Sequence, residues 1–272
     1  YKHMANLILW NCLNLGHYPI RAAGPHQLAG WLISQGYTVK VIDFCHLLST
    51  KELEEITSKH IDSSTIAVGV SSTFWDVVHG LELPKEKQFA EPQWVQDGRQ
   101  RVQSKFPNLK WLLGGANSTS SNLKYNWTIM HGHAEDQLLK FMDEHTSISL
   151  QRRIFDIKNL GACFKDDLGI QSSEVLPIEL SRGCQFTCKF CRYPLLGKKK
   201  NTYLRDFSLT EHELIENYQR YGTTRYFFLD DTVNESDEKI VAMADMAQRL
   251  PFKLEWIGYN RLDLIGSKPH TI

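Results

Sequence analysis

Three cysteines fall within eight residues, in the run Cys184-Gln-Phe-Thr-Cys188-Lys-Phe-Cys191. Cysteine thiolates are the usual ligands of iron–sulfur clusters. Three of them on one short loop can cap three irons of a four-iron cube and leave the fourth iron open. An open coordination position is what separates a reactive metal site from a closed structural one. A zinc site would instead show two separated Cys-x-x-Cys pairs or a histidine pair, and no second pair follows. A bacterial ferredoxin run would carry two Cys-x-x-Cys steps and a trailing Cys-Pro, and neither is present. Chance clustering of buried thiols fits poorly with a loop that also carries Lys, Gln and Thr. The expected chemistry is that of a [4Fe-4S] cluster, with zinc as the alternative. Of the other cysteines, Cys12 and Cys45 read as small buried hydrophobes, and Cys163 carries no pattern. Six cysteines spread this unevenly do not make a disulfide scaffold.

The elements that must hold this loop can be read from periodicity. Short apolar, β-branched runs at 6–10, 38–44, 65–71, 110–113 and 127–130 predict strands. Between and after them, 26–35, 51–59, 96–106 and 135–143 predict helices, with Gly36 placed to close the first of these. Strands alternating with helices through short loops predict βαβ units, hence an α/β fold with a Rossmann-like open parallel sheet over residues 4–148. Tyr1–His3 reads as an appended stretch before Met4. In such sheets ligands bind beyond the carboxyl ends of the strands, here around 11–16, 71–74, 114–120 and 131–135. Residues 149–173 lack periodicity and read as a linker. A second series, 174–272, opens with a strand at 175–180 that runs straight into the cysteine loop. A helix at 210–221 follows, with Thr210 as N-cap and Glu213 completing a capping box. A strand at 226–229 ends in Asp230-Asp231. A helix at 237–250 places Ile240, Val241, Met243, Ala244 and Ala247 on one face. A strand at 254–258 ends near Asn260 and Arg261, and Ser267-Lys-Pro269 resembles the start of another helix. Three such units do not close a βα barrel, which takes ~250 residues. The expectation is a partial barrel, truncated at the C-terminus or covered at its open edge by something else.

Cys-x-x-x-Cys-x-aromatic-Cys resembles the signature of the radical S-adenosylmethionine (SAM) superfamily. The resemblance implies an enzyme in which three cysteines hold a [4Fe-4S] cluster and the open iron binds the amino and carboxylate groups of SAM. One electron then splits SAM to methionine and a 5′-deoxyadenosyl radical. The chemistry needs the low end of the cluster range of roughly −700 to +450 mV and an external one-electron donor of the flavodoxin or ferredoxin type. It implies that Phe190 lies near the SAM adenine and that Asp230 or Asp231 holds the amino group. The usual Gly-Gly-Glu is absent, and either aspartate could instead cap a turn. Asn260 and Arg261 are placed to reach the ribose or carboxylate, with a surface ion pair as the alternative for Arg261. Gly183 supplies backbone freedom for the wrap around the cluster.

The order of sheet domain, linker and cysteine loop is similar to the radical SAM subgroup with an N-terminal cobalamin-binding domain. Leu112-Leu113-Gly114-Gly115-Ala116 resembles its strand and Gly-Gly turn, and His131-Gly132-His133-Ala134-Glu135 its Gly-x-Gly-Glu turn. The resemblance implies cobalamin contacts from Ser71, Gly114, Gly115, Gly132 and Glu135. Several features depart from the pattern. The Asp-x-His-x-x-Gly motif is missing, His133 stands where the second glycine belongs, and 81–96 reads as an insertion. Cobalamin binding and a scaffold that kept only the fold therefore both stand. With cobalamin the implied outcome is radical methylation of an unactivated carbon; without it, rearrangement, oxidation or thiolation. A metal-binding module without turnover and a scaffold or regulatory protein are the non-enzymatic alternatives.

Composition is that of a globular protein, with 42% hydrophobic and 23% charged residues. Zero formal charge gives no global field toward nucleic acid or anionic membrane. Lys198-Lys199-Lys200 reads as a solvated loop rather than a phosphate contact. No run of ~18 apolar residues predicts a membrane span, and 7–10 is too short for a signal peptide; the cytoplasm is the default compartment. No residue pattern points to a substrate.

Overall fold

The computed structural model describes residues 5–13, 20–73, 75, 91–115, 125–146, 154–159, 164, 169–186, 188–189 and 204–267. The chain divides into two compact units, Tyr1–Ile154 and Phe155–Ile272.

The first unit is α/β. Strands β1 (Leu7–Trp10), β2 (Val39–Ile42), β3 (Ala67–Ser71), β4 (Lys110–Gly114) and β5 (Thr128–Ile129) form one parallel sheet in the order β2-β1-β3-β4-β5. Helices α1 (Ala23–Ser34), α2 (Thr50–Ser58) and α3 (Gln93–Lys105) connect them, and α4 (Glu135–Glu144) follows β5. Parallel pairing forces these crossovers, and strands covered on both faces read as continuous apolar runs. All four residues of β1 are buried. Successive side chains point to opposite faces. Ile8 and Trp10 join Val68, Val70, Trp111 and Leu113 in one core with Leu53, Val95 and Val102 from the α2 and α3 side. The helices pack in pairs, α2 with α3 and α1 with α4. At Gly98 of α3 a Cβ would lie 2.9 Å from Leu53 and 3.2 Å from the Trp10 ring, so only glycine lets this helix sit so close to the sheet. Gly36 has φ 88° and closes the turn after α1, as expected. The order 2-1-3-4-5 reverses direction between β1 and β3, and in open α/β sheets ligands bind beyond the strand ends at such a switch point.

The second unit has a parallel sheet of β6 (Leu176–Ile178), β7 (Arg225–Phe228) and β8 (Glu255–Gly258) in that order, with α5 (Phe207–Tyr221), α6 (Asp237–Arg249) and α7 (Leu262–Ser267). Two residues ahead of β6 join this core. Phe164 and Ile170 are buried with Leu176, Phe228 and Met246, and the Phe164 carbonyl accepts a hydrogen bond from Arg220 at 2.8 Å.

Two helices differ in detail from the sequence reading. The N-cap of α5 is Asp206, whose carboxylate accepts the Ser208 N–H at 2.8 Å. Thr210 lies inside the helix, fully buried, its hydroxyl turned back on the Asp206 carbonyl. Glu213 forms a buried ion pair with Arg205 instead of a capping box. On α6 the inward row is Lys239, Met243 and Met246, continued by Leu250; Val241 is half exposed and Ala244 exposed. Among the described residues no helix is long and apolar enough to cross a membrane.

Candidate functional site

The cysteine loop springs from the carboxyl end of β6 and is closed at its base. Ser181 pairs with Leu204 in an antiparallel bridge, and Arg205 donates its N–H to the Leu180 carbonyl at 2.8 Å. Gly183, at φ 83°, takes the left-handed turn that leads into Cys184. Cys184 and Cys188 are part-exposed free thiols. Cys191 and Phe190 lie outside the described residues. Among the described residues no three His, Cys, Asp or Glu side chains gather as a metal-holding group.

The surroundings of the two described thiols suit a cluster whose ligands are thiolates. Arg261 places Nη1 3.9 Å from Cys188 Sγ, and its guanidinium lies 4.0 Å from the centre of the Phe186 ring. Arg261 donates two hydrogen bonds to the Asp263 carboxylate, at 3.0 and 2.6 Å, and these, with the Asp263 charge, raise its pKa further. The Thr232 hydroxyl is 3.3 Å from Cys184 Sγ. Soft sulfur donors beside a fixed cation and a hydroxyl donor fit an iron–sulfur centre by their chemistry.

The turn after β7 holds the loop in place. Gln185 donates its backbone N–H to Glu235 Oε2 at 3.4 Å, and its side-chain amide donates to the Glu235 carbonyl. Asn234 clamps Arg261, accepting its N–H at 2.8 Å and donating to its carbonyl at 2.9 Å. Val233 donates to the Tyr259 carbonyl at 2.8 Å. The carboxyl ends of β6, β7 and β8 are thereby cross-linked through residues 232–235.

Asp230 is placed differently from the sequence expectation. It is fully buried; Oδ2 accepts the Leu180 N–H at 3.1 Å, while Oδ1 accepts from Ser181 Oγ and from Lys239 Nζ at 2.6 Å. Lys239, 1% exposed, also reaches Glu235 at 3.1 Å, Ser181 Oγ at 2.9 Å and the Thr232 carbonyl at 3.3 Å. A carboxylate held by a buried lysine, a hydroxyl and a backbone amide braces the loop entry. Asp231 is half-buried, and Asn260 is exposed with its amide on the Gly258 carbonyl at 3.2 Å.

No family model and no curated protein matches this sequence. Solved structures that match in shape include two of radical S-adenosylmethionine methyltransferase TsrM from Kitasatospora setae, one with tryptophan substrate and the SAM analogue aza-SAM, the other with cobalamin and a [4Fe-4S] cluster. TM-scores are 0.61 and 0.60 at 17% identity, covering 90% of this chain and 51% of TsrM. The fold is TsrM-like. This chain spans about half the length of the TsrM structures it resembles.

In the first unit the expected cobalamin positions fall at adjacent strand ends. Ser71 is in register with Gly114, and the Ser72 N–H and hydroxyl both donate to the Gly114 carbonyl at 2.8 Å. Gly115 has φ 98°, and a Cβ there would lie 2.7 Å from the Thr73 backbone nitrogen. This glycine is thus required by the chain's own packing. Gly132, with φ 62° and nothing within 4 Å of a Cβ, leaves bare backbone. Glu135 is buried at the start of α4. Burial drives the Cys12 thiol up to about 12 and that of Cys45 well above the ordinary range, in keeping with structural roles.

The sequence reading missed Thr232, Asn234, Glu235 and Lys239. The available signal was Lys239 itself, four residues after Glu235 and on the apolar stripe with Met243 and Met246. A lysine on an inner face needs a buried counter-charge, and Asp230 at the strand end supplies it.

Proposed function

We propose that this chain is the cluster-bearing part of a radical SAM enzyme, with Cys184, Cys188 and Cys191 as the ligands of a [4Fe-4S] cluster. The observation that carries the reading is the pair Cys184 and Cys188 at the carboxyl end of β6, on a parallel sheet of TsrM-like fold, with Arg261 and Thr232 against their sulfurs. Once bound, the cluster would supply the electron that cleaves SAM to methionine and a 5′-deoxyadenosyl radical, drawn from a flavodoxin- or ferredoxin-type donor. Arg261, fixed by Asn234 and Asp263, would meet the SAM carboxylate; Asn260 and Asp231 would meet the ribose and ammonium, and Phe190 the adenine. Asp230 would act from behind, holding Leu180 and Ser181 so that the loop keeps its exit angle.

A second reading, cobalamin-dependent radical methylation, is supported by the 2-1-3-4-5 sheet and by the bare backbone at Gly132. Ser71, Gly114, Gly115, Gly132 and Glu135 would then flank the cobalamin. Anaerobic reconstitution with iron and sulfide, dithionite reduction and addition of SAM should yield 5′-deoxyadenosine in wild type and none in Cys184→Ala. Protein that takes up no iron, or holds zinc on these sulfurs, would sink the reading. A visible-spectrum titration with hydroxocobalamin, run separately, decides the second.

A further inference from the structure

The hydroxyl of Thr232 lies within hydrogen-bond distance of the Cys184 sulfur. Thr232 is 5% exposed. Its hydroxyl carries a single proton and stands 2.8 Å from the Asp231 carbonyl and 3.3 Å from the sulfur. While Cys184 is a thiol, the S–H can donate to the hydroxyl and the hydroxyl to the carbonyl. A metal-bound thiolate has no proton to give, so a hydrogen bond at this contact requires the hydroxyl to turn its own proton from the Asp231 carbonyl onto the sulfur.

The hydroxyl is held where it can do this. Lys239 Nζ grips the Thr232 carbonyl at 3.3 Å and at the same time Asp230, Glu235 and Ser181. Ser181 and Asp230 fix the entry of the cysteine loop, and Glu235 fixes Gln185, the residue after Cys184. One buried ammonium therefore ties both partners of the O–H···S contact to the same point.

We propose that Thr232 is a positioning and tuning residue that donates a hydrogen bond to the Cys184 thiolate and sets the reduction potential of the cluster, with Lys239 holding it in place. This rests on the cluster reading above. One-electron reduction adds negative charge that is shared with the cluster's sulfurs, so a donor on a ligand sulfur stabilises the reduced form more than the oxidised form. Losing that donor moves the potential down.

The test compares wild type, Thr232→Val and Thr232→Ser as full chains, reconstituted anaerobically with iron and sulfide and without SAM. Dithionite supplies the electron in a dye-mediated titration followed by electron paramagnetic resonance. Valine matches threonine in shape, so burial at this position is kept. The expected result is equal iron in all three, a more negative midpoint in the valine variant and a return to the wild-type midpoint in the serine variant. Equal iron with an unmoved midpoint in Thr232→Val overturns the proposal and leaves the function standing. Loss of iron from the valine variant alone also overturns it, because Thr232 would then hold the fold rather than tune the sulfur. Iron in none of the three overturns it together with the function.

Discussion

Lys239 shows how one buried charge can hold together the segments that carry a candidate site. Its ammonium lies between Asp230 and Glu235, and all three side chains are fully buried. Removing one partner of a buried pair strands the other charges in a medium that cannot solvate them, at a cost of about 3–5 kcal/mol. Lys239→Met should lower stability by that order in chemical denaturation, and Asp230→Asn added to it should recover part of the loss. A double variant no more stable than the single one would contradict this account. In the first unit Asp43 occupies an analogous place, with Arg21 Nη1 at 2.5 Å, His26 Nε2 at 2.9 Å and Asn11 Nδ2 at 2.7 Å. Burial raises its pKa, but the hydrogen bond and charge of His26, with those of Arg21, outweigh burial and hold it below the ordinary aspartate range. A folded-state pKa below the unfolded one gives stability that is fully present above the unfolded value of about 3.9 and is lost as pH falls through the folded value. Asp43→Asn should therefore flatten the acid limb of stability below about pH 4, read by urea denaturation with tryptophan fluorescence. An acid limb as steep as wild type would refute the role given to Asp43.

At the scale of elements, the positions of helix ends carry the errors of sequence reading, and they do so for a local physical reason. Thr210 and Glu213 have the spacing of a capping box, yet Asp206 four residues earlier has the same competence and wins. What decides is Arg205, whose buried pairing with Glu213 draws that glutamate inward and leaves it no reach to an N-cap. Asp206→Ala should cost about 1 kcal/mol of stability in thermal or urea melts, with little change in the far-ultraviolet spectrum of the folded protein. A cost near zero would return the cap to Thr210. By contrast, the capping box of α2, Ser49 with Glu52, contains no competing buried partner and is formed in full. The α6 stripe was misjudged on similar grounds. Counting apolar residues favours Val241 and Ala244, whereas burial selects Lys239 because an acidic pair awaits it.

For the whole molecule, the second sheet carries a run of exposed apolar side chains on and after β8. Strand β8 has Trp256 at 42% and Ile257 at 57% exposure, followed by Tyr259 at 63% and Leu262 at 79%. Among the described residues β8 is an edge strand of its sheet, and an apolar edge strand is a template for pairing with another chain. Ile257→Lys should reduce self-association of this polypeptide in light scattering and gel filtration at raised concentration; unchanged association would remove β8 from consideration. The chemistry-bearing spacing Cys184-x-x-x-Cys188-x-x-Cys191, the alternation of strands with helices and the parallel sheets were all legible in residue order, because periodicity and ligand spacing are local properties of the chain. Tertiary structure alone decided that Asp230 braces the loop entry, that Gly115 answers to Thr73, that Thr232 meets Cys184, and that Asn234, Glu235 and Lys239 hold the segments beside it. Those roles depend on which strand ends become neighbours and which charges lose their water, and both are settled only when distant segments pack.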